Sequence, residues 1–121
     1  MKTNAWFLLE RSKQIPNSWV AHCLDLDVVT YGSSLDDALR MGIEAAQMAL
    51  SDDLAAGLDS RRRRAPEEDW LRLYDLMANA TKRIPVEMLG QRQGELRIVA
   101  ANLELSVSSQ SILEKTRSEE P

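Results

Sequence analysis

The chain is poor in the residues that usually carry chemistry or staple a fold. Its 121 residues include one cysteine, one histidine and six aromatic side chains (three Trp, two Tyr, one Phe). A single cysteine rules out an intrachain disulfide and cannot by itself anchor a zinc site. With so few aromatics, the core has to be built mainly from Leu, Ala, Val, Ile and Met, within an apolar content of 44%. No stretch approaches the roughly 20 apolar residues of a membrane span. The opening "MKTNAWFLLERSKQ" lacks the apolar run of a secretory signal, so a cytoplasmic protein is the expectation. No Gly-rich phosphate loop, nucleophile elbow or paired metal motif is found, and no cofactor is expected.

The net charge of −4 disfavours nucleic-acid binding driven by overall charge and suits a basic partner. The charge is uneven. Residues 1–60 carry four basic and nine acidic side chains, "RRRR" at 61–64 adds four positives, and 65–121 carries seven basic against ten acidic. Arg61, Arg62, Arg63 and Arg64 read either as a solvated connector or as a patch for phosphate or another acid. No Phe or Tyr is interleaved with them, so base stacking is not suggested.

Along the chain, 5–12 reads as a strand, "IPNS" (15–18) as a turn, "WVAHCLDL" (19–26) as a second strand and "VVTYG" (28–32) as a third, forming an antiparallel meander. Ser33 or Ser34 caps a helix whose first turn holds Asp36 and Asp37, where the helix dipole favours negative charge. Its apolar stripe of Leu35, Ala38, Leu39, Gly42, Ala45, Ala46 and Ala49 is made largely of small residues, allowing close approach to a sheet, and Gly57 is the expected stop. Pro66 opens a second helix carrying Trp70, Leu73, Leu76 and Met77. Segments 84–89 and 95–107 read as a hairpin around "GQRQG". In the last strand the apolar face switches partway, which implies either a bulge or a second half that pairs with another subunit. The tail 108–121 is polar.

The fold expected from these elements is α+β: an antiparallel sheet of four or five strands, two helices packed on one face, in the order β-β-β-α-α-β-β. Residues 1–107 form one domain, dimeric through the 95–107 strand. His22, Cys23, Asp25 and Asp27 look like a catalytic or metal cluster. In a regular strand, however, His22 shares a face with Val20, Leu24 and Leu26, while Cys23 and the aspartates point the other way. A hydrogen-bonded core or interface histidine and a small buried cysteine are the readings that follow, and neither an enzyme nor a metal site is expected.

Trp19-Val20-Ala21, Asp25-Leu26, Thr30, Gly32, Ser34-Leu35 and Ala38-Leu39, at these spacings, resemble the HicB family of bacterial antitoxins over residues 5–50. The resemblance implies a β-β-β-α-β unit similar to a partial ribonuclease H fold without its catalytic carboxylates. It also implies a small basic HicA-like mRNA-cleaving toxin as partner, neutralised by occlusion. Asp25, Asp27, Asp36 and Asp37, near the turn and the helix start, are the candidate contacts for it. Leu24-Asp25-Leu26-Asp27-Val28 stands where the family has Pro-Asp-Leu-Pro-Gly. The order of elements in 66–107 fits neither a helix-turn-helix nor a ribbon-helix-helix. A homodimer without a toxin partner is the alternative, and a weak nucleic-acid contact through the arginines is compatible with both.

Overall fold

The computed structural model describes residues 1–80 and 82–107; the 108–121 tail lies outside the described residues. Four strands, β1 (Lys2–Arg11), β2 (Trp19–Cys23), β3 (Val28–Gly32) and β4 (Ile98–Ser106), form one sheet in the order β3-β2-β1-β4, with every neighbouring pair antiparallel. Helix α1 (Leu35–Ala56) follows β3, and helix α2 (Glu67–Asn79) follows a 3-10 turn at Ser60–Arg63. The chain is α+β, as its sequence pattern predicts. No helix among the described residues is long and apolar enough to cross a membrane.

The two helices lie on opposite faces of the sheet, not on one. β1 alternates its side chains between two apolar clusters. Ala5, Phe7 and Leu9 join the α1 residues Leu35, Ala38, Leu39, Ala46 and Leu50. Leu8 and Trp6 join Leu24, Ala65 and the α2 residues Trp70 and Leu73. A period-two strand with large apolar residues at consecutive positions can satisfy both sets only if each face is covered. The run "AWFLL" carried this signal.

The same geometry resolves the switching face of β4. Its register with β1 runs unbroken from Lys2↔Ser106 to Glu10↔Ile98, so there is no bulge, and its whole length pairs within the chain. Val99, Ala101, Leu103, Leu105 and Val107 all face the α1 side. Ile98 and Ala100 pack under α2, whereas Asn102, Glu104 and Ser106 lie beyond its reach and are exposed. The even-numbered side is apolar only where a helix covers it.

The expected strand at 84–89 and the hairpin around "GQRQG" are instead 3-10 turns at Val86–Met88 and Gly90–Glu95, so the order is β-β-β-α-α-β. Arg11 holds the far end of this segment. Its guanidinium donates to the Gln93 carbonyl (3.0 Å) and the Leu96 carbonyl (3.3 Å), while Gln93 Oε1 accepts the Leu35 N–H at the start of α1 (2.8 Å). Leu89 is buried with Ile84 and Leu96 beside it, plugging the end of the α1 core.

Helix α1 starts at Ser34, whose Oγ accepts the Asp37 N–H (3.0 Å). It ends at Gly57, whose φ of 68° is the left-handed geometry glycine adopts without strain. Gly42 faces the sheet closely: a Cβ there would come within 3.0 Å of the Ala21 Cβ. The small-residue stripe therefore sets the spacing between helix and sheet.

Asp53, near the end of α1, is 1% exposed and is held by both Arg62 (2.9 Å) and Arg63 (2.7 and 3.0 Å). The Arg63 hydrogen bonds hold its carboxyl below the usual carboxylate range, against the opposing effect of burial. A carboxylate whose pKa is depressed by folding contributes stability that is complete above its unfolded value and is lost as pH falls through the folded one. Asp53 should therefore stabilise the protein at neutral pH and cease to do so only below about pH 4. Asp53→Asn should cost about 2 kcal/mol at pH 7, because the arginines left behind are hydrated at the surface. The double variant Arg62→Ala/Arg63→Ala, which strands a buried carboxylate, should cost about 3–5 kcal/mol. Urea denaturation at pH 7 and at steps of falling pH below 4 checks both the order of these effects and their convergence in acid.

Candidate functional site

The structure does not bring the four candidate aspartates together. Asp25 and Asp27 sit in the β2–β3 turn and Asp36 and Asp37 at the start of α1. The five residues of β3 separate the two pairs by roughly 17 Å.

Each of the four is occupied by local structure. Asp25 terminates the β1–β2 ladder. The Leu24 N–H donates to the Trp6 carbonyl (2.9 Å), but the reciprocal bond is not made. The Leu24 carbonyl instead accepts the Ala65 N–H (2.8 Å), and the Trp6 N–H donates to Asp25 Oδ2 (2.6 Å). Asp27 has a φ of 51°, so the chain reverses there, and its Oδ1 lies 2.7 Å from His22 Nε2. The pleat rule that places these two residues on opposite faces does not apply, because β2 ends at Cys23 and the turn carries Asp27 back. Asp37 accepts the Ser33 N–H (3.0 Å) and a bond from Arg40 (2.6 Å), which together hold its carboxyl below the usual range. Asp36 packs against Gly90, where a Cβ would collide with its carboxylate.

Cys23 is fully buried, and burial pushes its thiol up to about 11, so no thiolate forms there near neutral pH. Among the described residues no three His, Cys, Asp or Glu side chains are grouped so as to hold a metal ion.

The arginine run is divided among three tasks. Arg61 chelates Asp59 (2.8–3.1 Å), Arg62 and Arg63 hold Asp53, and the Arg64 guanidinium lies 3.9 Å from the Trp70 ring centroid. An anion binding here has to compete with these internal partners.

What remains is a surface that sequence reasoning missed. Among the described residues, helix α2 covers the β1–β4 half of its face and leaves the β2–β3 half bare. Two cross-strand pairs, Val20↔Tyr31 and His22↔Val29, form a block on that half. Val29 and Tyr31 are 48% and 41% exposed. The His22–Asp27 pair supplies a polar border. A rigid apolar patch with a tyrosine and a charged edge has the composition of a protein-contact surface. Its only sequence signal was that "VVTYG" is apolar at consecutive positions with nothing assigned to cover the outward side.

A second open feature is the outer edge of β4. The Ser106 N–H is closed by Gln47 Oε1 from α1 (2.9 Å), which ends the free edge at that point.

The structural role of Asp25 can be tested directly. Asp25→Ala removes the acceptor of a partly buried N–H and should cost about 1–3 kcal/mol. Asp25→Asn keeps a carbonyl oxygen in place and should recover at least half of that. Thermal melts of the two variants against the parent chain test this assignment.

No family model, curated protein or solved structure matches the chain, so its geometry and its short sequence likeness carry the functional reading.

Proposed function

We propose that the chain is a non-enzymatic, HicB-like antitoxin-type binding domain that neutralises a small basic HicA-like mRNA-cleaving toxin by covering its RNA-binding surface. The observation that carries this reading is the bare half-sheet of Val20, His22, Val29 and Tyr31. A fixed sheet presents apolar contact area at little conformational cost, because its side chains are already ordered by cross-strand neighbours. Of the four candidate aspartates, Asp27 borders this patch, and the acidic balance of the chain favours fast association with a basic partner. The order β-β-β-α, then β4 after α2, agrees with the resemblance in residues 5–50 and adds α2 as a cover for the second face.

The free edge of β4 supports the alternative, a stand-alone homodimer without a toxin. Hydrogen bonds at Arg11–Arg97 and Met1–Val107 fix the odd-numbered β4 residues as those facing β1. Ile98, Ala100, Asn102 and Glu104 therefore turn their backbone N–H and C=O groups outward, a template for antiparallel pairing of two copies.

Affinity capture from host lysate separates the two readings. The first expects near-stoichiometric recovery of a small basic protein whose RNA cleavage is suppressed by adding the chain. Tyr31→Ala should weaken this capture by about tenfold or more, equivalent to ~1.4 kcal/mol. Recovery of the chain alone, as a dimer dispersed by Ala100→Pro, would replace the first reading with the second.

A further inference from the structure

Strand β1 outlasts its neighbour. β2 pairs with it only from Phe7 to Arg11, and the last bonds on that side are those linking Trp6 to Leu24 and Asp25. β1 nevertheless continues back to Lys2 along β4. Odd-numbered β1 residues bond to β4, so the even-numbered ones turn the other way, as Trp6 does. Asn4 and Lys2 therefore direct their N–H and C=O groups into the space beyond the end of β2. Among the described residues no hydrogen-bond partner meets them there.

That space is a half-open cleft of about 150 Å³. Its lining combines the aliphatic Ala5, Leu26, Leu50 and Leu105 of the α1 side with the polar Asp25, Ser60 and Arg61. Backbone donors and acceptors repeating every second residue match an extended polypeptide, which presents the same repeat. A strand added beside Lys2–Ala5 alternates its side chains between the two faces, so one of them enters the cleft. The aliphatic interior selects an apolar group, and a cavity of this order holds one of benzene size.

We propose that the β1 edge at Lys2 and Asn4, together with this cleft, is a docking site for an extended segment of a partner protein bearing one branched aliphatic side chain. The site is separate from the bare β2–β3 patch and does not depend on the antitoxin reading. Binding adds a short strand in line with β2, and Asp25 marks where it must stop.

The test uses the full chain and a random heptapeptide library displayed on phage. Synthetic peptides of the enriched sequence are then titrated while backbone amide exchange is followed by NMR. In the free protein the Asn4 amide should exchange as an open edge does, with Thr3 and Ala5 protected by β4. Enriched peptides should share one Val, Ile or Leu position and slow Asn4 exchange by about tenfold or more. Methylating alternate peptide nitrogens should abolish the effect. Asn4→Pro deletes the outward N–H while sparing the β4 ladder, and should weaken the peptide by about tenfold with the melting temperature little changed. Ser60→Phe, which sets a bulky ring into the lining of the cleft, should give the same loss by an independent route. An Asn4 amide already protected in the free chain would mean that the chain fills the slot itself, and the proposal would be wrong. It also fails if no peptide is enriched, or if the enriched peptides bind both variants unchanged.

Discussion

The exchange of hydrogen bonds at Leu24 and Asp25 governs the rest of the molecule. A regular antiparallel pair would return the Trp6 N–H to the Leu24 carbonyl. That carbonyl is given to Ala65 instead, and the Asp25 carboxylate takes the vacated donor. The backbone groups of Trp6 and Leu24 all keep partners, which is the condition for ending a strand inside a packed structure. The exchange stops β2, turns the chain towards Asp27 and fixes Ala65 against the sheet immediately before α2. The second helix is thereby placed on the face opposite the first.

Charge completes what that junction begins. The connector between the helices is held at one end by Arg62 and Arg63 on the buried Asp53, and at the other by Arg64 against Trp70. A carboxylate this deeply buried is tolerated because two guanidiniums converge on it, and the bidentate Arg63 supplies matched geometry as well as charge. Arg62, Arg63 and Arg64 thus form a strap between α1 and α2, and their closeness in sequence reflects the shortness of the connector they anchor.

Much of the fold was legible in the sequence, and the failures have physical causes. β1, β3, the capped α1 with its small-residue stripe, and α2 opening at Pro66 follow from period, caps and turn chemistry. The second covered face was misread because "AWFLL" gives apolar residues at every position, a pattern that does not say which layer covers which side. The segment 84–89 looked extended because its apolar residues are strand formers, yet it and the residues after it coil into 3-10 turns, and Arg11, some eighty positions earlier, holds their far end by the Gln93 and Leu96 carbonyls. That long-range bond has no local signature. The four aspartates lay close in sequence, but β3 holds the two pairs apart. The bare patch and the open β1 edge are defined by what fails to cover them, which no motif can report.

Strand β1 is synthesised before the other described elements, and its partner β4 is the last of them. Lys2 pairs with Ser106, so the ladder that seals the α1 core closes only after nearly the whole domain has left the ribosome. β2, β3 and α1 can assemble on β1 earlier, since their contacts are local and their loops short. For the interval that follows, the β4-facing edge of β1 is an open hydrogen-bonding template on a growing chain, and its neighbours Phe7 and Leu9 are uncovered on that flank. Long-range closure of this kind slows folding and exposes the nascent domain to mispairing. The time for which that edge stays open is set by how quickly residues 98–106 arrive.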